Sequence, residues 1–347
     1  MQLNEPMPVL PLRTSRLSLR LAGVDDAAVI AAYRADPEVA RFQDWDLPYS
    51  IERATTMLAK QADRTDVTPG EWVQVAIEHD GVVVGDVAVG LDASASVATI
   101  GYTLPTASQG HGYASEAVSA VIDALFDRLD VHRIEATMDP ANFASMRVVE
   151  PLGFVKEART RRSELIRGEW VDDLRFALLR SDHEAWRARP TTPPATVELV
   201  EVTTDVLNDV TGLATFTFQE QFVAPMARSI AQAWVPPHYG GHPVLPWYRA
   251  VRADGEIVGF VMLSAVTEWE PEPYLWRFLV DRRHQRRRIG ERVIAQLVEL
   301  ARADGHTSMM VSWVDQPGGP RPFYERLGFV PIGTNDEGET EGRLTFG

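Results

Sequence analysis

The sequence has 347 residues, of which 45% are hydrophobic and none is cysteine, and its formal net charge is −15. This length allows two domains of ordinary size, and the lack of cysteine excludes disulfides, thiolate metal sites and a cysteine nucleophile. The negative charge disfavours nucleic acid as a partner; it either favours cationic partners or serves solubility alone.

The first eleven residues contain one glutamate and three prolines, and they lack the apolar centre of a signal peptide. No apolar run approaches the length needed to span a membrane. We therefore expect a cytoplasmic protein with no membrane partner, in which residues 1–11 form an N-terminal extension.

The first half begins with an alternating strand, Leu17–Leu21. Asp25 and Asp26 precede a helix, and Ser50 is a plausible cap for a second helix. Asp80-Gly81 lies between two apolar runs and predicts a tight hairpin.

A strand-like run over residues 98–104 then leads into the loop 108–114, which opens an amphipathic helix. Such a loop presents unpaired backbone N–H groups at the positive end of the helix dipole, which suits phosphate or pyrophosphate. Gly110 and Gly112 lack the Cβ that would block close approach. A plain glycine-rich turn remains the alternative.

After this helix the pattern predicts a strand over residues 133–138, a short helix ending before Gly153, and two closing strands. The proline-rich segment 189–195 is typical of a semi-rigid linker. We predict one domain over residues 12–188 and a second over residues 196–347.

The second half repeats the landmarks of the first in the same order. Asp254-Gly255 repeats the hairpin, and Leu-Gly-Phe-Val occurs in both halves. From Gln109 to Gly153 is 153 − 109 = 44 residues, and from Gln285 to Gly328 is 328 − 285 = 43. We infer two copies of one domain. A dinucleotide-binding fold is disfavoured, because neither half begins with a strand, glycine loop and helix.

With these motifs, both halves resemble the GNAT superfamily of acyl-CoA-dependent N-acyltransferases. The family loop is Gln/Arg-x-x-Gly-x-Gly/Ala, which Gln109, Gly112 and Ala114 match fully. In the second half Gln285 and Gly290 match its ends, but Arg288 replaces the central glycine.

The two halves resemble different branches. The first resembles enzymes that acetylate protein N-termini, including ribosomal ones, through residues 12–17, 100–102 and 112–117 and through Asn142 and Ser145. The second resembles bacterial spermine/spermidine (diamine) acetyltransferases through Trp247 and residues 258–262, 277–281, 323–329 and 338–339.

The resemblance implies an α+β fold of two tandem GNAT-like domains, each a mixed, mainly antiparallel twisted sheet flanked by helices. It implies acetyl-CoA as the cofactor, no metal, and direct transfer in a ternary complex. The implied cofactor-binding residues are Gln109, Gly110, His111, Gly112, Tyr113, Ala114 and Asn142, and then Gln285, Arg286, Arg287, Arg288, Ile289 and Gly290. Arg288 could obstruct the pyrophosphate or pair with it.

Acetyl transfer to an amine sets three chemical demands. The amine must be neutral, which costs roughly 4–5 kcal/mol at pH 7 for a lysine-like amine. The thioester oxygen needs a hydrogen-bond donor, and the leaving thiolate needs a proton. By the resemblance, Tyr324 is the proton donor of the second half. Val149 aligns with it in the first half, which leaves Ser145 as the hydroxyl that contacts the sulfur; both residues could instead be structural.

Acidic residues beside aromatic ones are candidates for binding a cationic acceptor. These candidates are Glu270 and Glu272, and Asp44 and Asp46. Two further candidates are Glu339, which belongs to the Gly-Glu match near the C-terminus, and Asp86, which lies beside Gly85 in a strand. Thr99 occupies the position where the N-terminal-acetylating branch has a glutamate, so no base is evident in the first half.

We therefore predict an acetyltransferase for a small cationic, polyamine-like amine. A protein α-amine or an aminoglycoside is the alternative acceptor, and a CoA-binding scaffold with inactive chemistry is the alternative class. The tandem repeat fits a monomeric pseudo-dimer or a homodimer. Which half is active stays open.

Overall fold

The computed structural model describes residues 8–239 and 241–347. The fold separates into two compact units, the first ending at Ala188 and the second beginning at Arg189. Of the predicted N-terminal extension, residues 1–7 lie outside the described residues. Val9 and Leu10 are buried, and their amides donate to the carboxylate of Asp66 at 2.7 and 3.0 Å.

The described part of the first unit contains one eight-stranded sheet. Its strands are β1 (Leu12–Arg13), β2 (Leu17–Leu21), β3 (Trp72–His79), β4 (Val82–Leu91), β5 (Val97–Thr103), β6 (Arg133–Met138), β7 (Val155–Ile166) and β8 (Glu169–Leu179). They lie in the order β1-β2-β3-β4-β5-β6-β8-β7. Only β5 and β6 pair in parallel; the other neighbours are antiparallel.

The helices of this unit are α1 (Ala27–Arg34), α2 (Pro37–Ala40), α3 (Ile51–Ala59), α4 (Tyr113–Arg128), α5 (Phe143–Val149) and α6 (Arg180–Arg187). The predicted cap of α3 is confirmed, because Ser50 Oγ accepts from the amide of Arg53 at 3.3 Å. Along α4, the residues at helical spacing that face the sheet are buried, including Val118, Ile122 and Leu125. Burial of this apolar stripe stabilises α4 in place.

In the described residues of the second unit, seven strands form the main sheet and two form a separate hairpin. The sheet strands are β9 (Val197–Val200), β12 (Pro246–Ala253), β13 (Glu256–Ser264), β14 (Tyr274–Val280), β15 (Ser308–Trp313), β16 (Val330–Thr334) and β17 (Thr340–Thr345); the hairpin strands are β10 (His238–Tyr239) and β11 (His242–Pro243). The helices are α7 (Leu207–Gly212), α8 (Met226–Trp234), α9 (Ile289–Ala303) and α10 (Arg321–Arg326).

The two sheets share one topology. The first runs β2-β3-β4-β5-β6-β8-β7 after its extra edge strand β1, and the second runs β9-β12-β13-β14-β15-β17-β16. In each sheet one central pair is parallel, β5–β6 in the first and β14–β15 in the second. The predicted fold class and the predicted duplication are both confirmed.

Local geometry repeats as well. Asp80 and Gly81 have φ angles of 50° and 77°, and Asp254 and Gly255 have 50° and 92°, which is the left-handed pair that a tight hairpin turn requires. The register then shifts by one residue in each hairpin, and a glycine follows at position 85 or 259. A Cβ on Gly259 would lie 2.6 Å from the carbonyl oxygen of Leu279, so only glycine lets these strands approach so closely.

No helix within residues 8–239 and 241–347 combines the length and the apolar character needed to cross a bilayer.

Candidate active site

The predicted cofactor loop of the first unit forms an anion-binding surface. Gly110 and Gly112 have φ angles of 77° and 79°, so the chain turns sharply just before α4 begins at Tyr113. Within the described residues, the backbone N–H groups from Gly110 to Ser115 have no acceptor. Free amides at the positive end of a sixteen-residue helix favour a bound phosphate.

Two side chains hold this loop in place. Gln109 donates from Nε2 to the carbonyl oxygen of Leu104 at 3.1 Å, which ties the loop to the end of β5. Arg16 donates to the carbonyl oxygen of His111 at 3.1 Å and pairs with Glu116 at 2.7 Å. Gln109 therefore positions the loop through its side chain, whereas the free amides belong to the residues that follow it.

Glu116 lies in the first turn of α4 and accepts hydrogen bonds from Thr14, Ser15 and Arg16. Burial opposes ionisation of this carboxyl group, but the hydrogen bonds from Thr14 and Arg16 outweigh it and lower its pKa. The sequence motif at residues 12–17 therefore has a structural role, since three of its residues bond to Glu116 of α4.

The parallel strands β5 and β6 separate beside this loop. They pair only from Val97 with Arg133 to Thr99 with Glu135. Beyond these pairs both strands continue, β5 to Thr103 and β6 to Met138, without pairing to each other. The divergence leaves a gap in the sheet, and the residues after Thr99 have backbone groups free to bind a ligand there.

Two hydroxyl groups lie beside this gap, one on β5 and one on α5. Tyr102 lies in the unpaired part of β5, and its hydroxyl oxygen is 2.7 Å from Ser145 Oγ and 2.8 Å from the Ser145 carbonyl oxygen. Asn142 caps α5 by accepting from the Ser145 amide at 3.1 Å. Burial raises the pKa of Tyr102 above its usual value, although the Ser145 hydrogen bond works in the other direction. The phenol therefore stays protonated at neutral pH and can donate.

A buried acid that sequence reasoning did not find lies on β8, next to the end of β6. Asp173 of β8 is 5% exposed, and burial, with the nearby charge of Glu164, raises its pKa to about 6. A cavity of about 350 Å³ is lined by Arg41, Phe42 and Asp139 and by Ile166, Arg167, Glu169 and Val171 of the β7–β8 hairpin, so its charged lining residues are two arginines and two acids. An alternating-strand pattern does not reveal such a residue, because its partner strands are set by the tertiary fold.

The other acidic candidates of the first unit have different surroundings. Asp44 lines a cavity of about 440 Å³ whose other charged lining residues are Arg34, Arg53 and Lys60. This cavity carries more positive than negative charge, which is unfavourable for a cationic amine. Asp46 accepts from Arg53 through its backbone carbonyl at 3.2 Å.

Asp86 is occupied by structural partners. It accepts from Tyr33 at 2.5 Å and pairs with Arg34 at 2.8 Å, and all three side chains are buried. Removal of a carboxylate that compensates a buried guanidinium leaves an unpaired buried charge, which is strongly destabilising. Asp86 is thus engaged by Tyr33 and Arg34, and this geometry does not favour it as a ligand for a cationic acceptor.

The second unit keeps the backbone shape of the loop while changing its side chains. Arg286 and Arg288 have φ angles of 65° and 59°, which match the angles of Gly110 and Gly112. Gln285 donates to the carbonyl oxygen of Val280 at 3.1 Å, as Gln109 does to Leu104. Within the described residues, the amides from Arg286 to Gly290 have no acceptor.

The three arginines of this loop take different positions. Arg287 turns inward, where it bonds to the Thr192 carbonyl oxygen at 2.8 Å and contacts His284 Nδ1 at 2.8 Å. Arg286 and Arg288 are exposed, and no partner of the Arg288 guanidinium lies in the described part of the chain. The Arg288 side chain is therefore free to pair with an anion.

Tyr324 of α10 is buried against Trp313, Phe323 and Phe329. Burial, together with Tyr274, raises its pKa above the usual phenol value. Like Tyr102, it stays protonated at neutral pH.

The acidic candidates of the second unit are all hydrogen-bonded. Glu272 pairs with Arg343 at 3.0 Å, Glu270 accepts from Ser264, and Glu339 accepts from Ser312. The structure does not hold Glu270 and Glu272 as a free acidic pair. In the described residues no cluster of three or more potential metal ligands occurs.

Two family models match the chain. The model described as "Acetyltransferase (GNAT) domain" matches residues 16–155, and that described as "Acetyltransferase (GNAT) family" matches residues 207–329. The first therefore covers the loop at Gly112, and the second covers the loop at Arg288.

The relatives are named as N-acetyltransferases. The uncharacterized N-acetyltransferase p20 of Bacillus licheniformis is 31% identical over 173 residues, which cover 50% of this chain and 97% of the relative. A ribosomal protein uS5-alanine N-acetyltransferase of Escherichia coli K12 is 35% identical over 83 residues, covering 24% of this chain and 43% of the relative. Among solved structures, Mycobacterium smegmatis RimJ in complex with CoA-disulfide matches at 26% identity and a TM-score of 0.43, covering 51% of this chain and 89% of that one.

Proposed function

The chain belongs to the GNAT family of N-acetyltransferases and carries two of its domains in tandem; from this premise we propose that the first domain transfers the acetyl group of acetyl-CoA directly to the primary amine of a small cationic, polyamine-like acceptor. The observation that carries the proposal is the run of free amides from Gly110 to Ser115 at the start of α4, next to the gap between β5 and β6. The loop has room for a diphosphate, because neither Gly110 nor Gly112 bears a Cβ.

Each chemical demand has a candidate group in the first domain. Acetyl-CoA supplies the thioester carbon when it is bound. A backbone amide after Thr99 donates to the thioester oxygen as charge develops there. Tyr102 and Ser145 form a hydrogen-bonded pair from which a proton can pass to the departing sulfur.

A cationic acceptor fits the charges near the gap. The charges of Glu164 and Asp139 both act on Asp173 and raise its pKa, whereas Arg175 lowers it. The net charge of −15 adds a long-range attraction for cations. We place the reaction in the cytoplasm, in a monomeric pseudo-dimer or a homodimer.

A protein α-amine is the second candidate acceptor. The similarity to a ribosomal protein uS5-alanine N-acetyltransferase favours it. A peptide N-terminus is also a cationic amine.

Two measurements on the full-length protein test the proposal. Calorimetry with acetyl-CoA should show binding, and an assay of released thiol should show turnover with spermidine or putrescine exceeding that with an alanine-initiated peptide or an aminoglycoside. Preference for the peptide would move the acceptor to the second candidate. Binding of acetyl-CoA without turnover of any of these amines would contradict the enzymatic proposal and support a CoA-binding scaffold.

A further inference from the structure

We propose that Asp173 is the proton acceptor for the substrate amine in the first domain, and that it occupies the same structural position as Glu339 in the second. The inference rests on the proposed acetyl transfer and assigns a role that Thr99 cannot fill. It is carried by strand register, by the side of the sheet on which Asp173 lies, and by the cavity next to it.

The register makes Asp173 and Glu339 equivalent. Met138 is the last residue of β6 and pairs with Leu174, and Trp313 is the last residue of β15 and pairs with Thr340. β6 and β15 are the corresponding diverging strands of the two sheets. Asp173 immediately precedes Leu174, and Glu339 immediately precedes Thr340. Each domain therefore places a carboxylate at the end of its diverging strand.

The α1 side of the sheet can be traced through β5. Tyr33 of α1 bonds to Asp86, and Asp86 pairs with Thr103. Side chains alternate along a strand, and directly paired residues share a face. Thr103 and Thr99, four residues apart in β5, therefore both lie on the α1 side. Tyr102 lies on the other side, where it meets Ser145 of α5.

Strand pairing and alternation also assign Asp173 to a face of the sheet. Thr99 pairs with Glu135, and two residues further along β6 Thr137 pairs with Arg175. Asp173 lies two residues before Arg175 in β8 and so shares its face. Asp173 thus lies on the α1 face of the sheet, and Tyr102 and Ser145 lie on the opposite face. The amine and the leaving sulfur can therefore exchange protons with different groups.

The surroundings of Asp173 suit a base that works near neutral pH. Burial disfavours its charged form, as do the charges of Glu164 and Asp139, whereas Arg175 and the backbone N–H of Met138 favour that form. In the described part of the chain no cation lies within ion-pair distance of this carboxylate. An amine entering here replaces the missing partner.

A cavity adjoins this part of β8, although Asp173 is not among the residues that line it. Its lining includes Asp139 and Val171, and Val171 lies two residues from Asp173 in β8, on the same face. A bulge in β7 between Thr160 and Glu164 bends the β7–β8 hairpin at this level. At the hairpin tip, Arg167 donates to backbone carbonyls of residues 40 and 41 at 3.0 and 2.6 Å.

The proton balance follows from these positions. The bound ammonium breaks one N–H bond, and an O–H bond forms on Asp173, which later releases this proton to solvent. The freed electron pair of nitrogen forms the new bond to the acetyl carbon. A second N–H bond then breaks and its proton passes to solvent water, so the amide nitrogen keeps one hydrogen. The C–S bond of the thioester breaks, the departing sulfur takes a proton from the Tyr102–Ser145 pair, and solvent returns a proton to that pair.

The test is the Asp173→Asn variant of the full chain, with Asp127→Asn as a matched control. Asp127 is exposed in α4 and loses the same charge. We expect Asp173→Asn to lower kcat by about 10²- to 10⁴-fold and to abolish the limb of the wild-type kcat/KM profile near pH 6. The dissociation constant for acetyl-CoA should not change. Asp127→Asn should retain both the rate and the limb.

The outcomes separate this inference from the proposed function. An active wild type whose rate and pH limb survive Asp173→Asn overturns the role of Asp173 and leaves the acetyl transfer standing. A wild type that binds acetyl-CoA but acetylates no amine overturns both. A variant that loses acetyl-CoA affinity in parallel with rate shows a structural role, which also overturns the proposal.

Discussion

Arg16 and Glu116, 100 residues apart in sequence, form a 2.7 Å ion pair at the base of the anion-binding loop. Glu116 places a negative charge in the first turn of α4, where a bound diphosphate would feel it. Arg16 neutralises this charge and also holds the His111 carbonyl oxygen. The pair therefore fixes the loop while keeping its amides attractive to an anion.

This relationship predicts that Arg16→Ala lowers acetyl-CoA affinity by about tenfold, since Glu116 is left uncompensated beside the diphosphate. The double variant Arg16→Ala/Glu116→Gln should lose less affinity than Arg16→Ala alone. Isothermal titration calorimetry measures both. If the double variant binds as weakly as the single one, the charge of Glu116 is not the cause.

The left-handed backbone at Gly112 predicts a cost for any side chain there. Gly112→Ala should weaken acetyl-CoA binding, because a residue at a φ of 79° is strained and its Cβ narrows the loop. Gly81→Ala is the matched control, since Gly81 has a φ of 77° in a hairpin turn with open space around it. Both variants should lose similar thermal stability, and only Gly112→Ala should lose affinity.

Arg288 carries the same strain in the second domain. Arg288→Gly should raise the unfolding free energy of that domain by about 1 kcal/mol, because glycine adopts a φ of 59° without a steric penalty. If the exposed guanidinium pairs with a diphosphate, the same change should weaken any acetyl-CoA binding by the second domain. Denaturation and calorimetry on one preparation separate the two effects. Tighter binding after Arg288→Gly would instead mean that the arginine obstructs the site.

The hydroxyl pair predicts a kinetic signature in the first domain. Tyr102→Phe removes the phenol that bonds to Ser145, and Ser145→Ala removes the other oxygen. Each should lower kcat by roughly 10- to 100-fold with little change in KM for acetyl-CoA, because the pair acts only as the sulfur leaves. Comparison with Tyr324→Phe shows which domain turns over. Full activity after both first-domain changes would remove the pair from the mechanism.

Asp173 predicts an unusual dependence of stability on pH. Its folded-state pKa of about 6 lies above the ordinary value of 3.8, so the folded state favours the protonated form. Its contribution is present below about pH 4 and is lost as pH rises through 6. Asp173→Asn should therefore raise Tm at pH 8, by roughly 2–4 °C for a gain on the order of 1 kcal/mol after allowance for solvent screening, and leave Tm unchanged at pH 4. Calorimetric scans at both pH values check this; a lower Tm at pH 8 would contradict it.

Much of the fold was predictable because its signals are local. Residues 17–21 and 133–138 were predicted as strands, and β2 and β6 span these residues. The apolar stripe of α4 and the Asp-Gly hairpin turns follow from side-chain periodicity and from backbone conformations that glycine allows. The two closing strands are predicted over residues 155–161 and 172–179, and the β7–β8 hairpin is longer because its strands continue beyond the bulge that follows Thr160.

Some features of the candidate site were likewise predictable from local sequence, and others depend on tertiary contacts. The loop at Gly112 could be read from the sequence because its glycines and helix are contiguous. The pairing of Tyr102 with Ser145 joins residues 43 positions apart, and the position of Asp173 depends on the register of β8 against β6. Glu339 was named from a short motif, but its equivalence to Asp173 is visible only from the paired strands.

The sequence by itself determined the duplication, the strand and helix pattern and the two loops at the helix starts, because spacing and glycine placement are properties of neighbouring residues. Among the described residues, tertiary structure alone decided which acids are neutralised by cations and left Asp173 buried without an ion-pair partner. Desolvation and ion pairing depend on groups brought together from distant strands, and no local pattern encodes those distances.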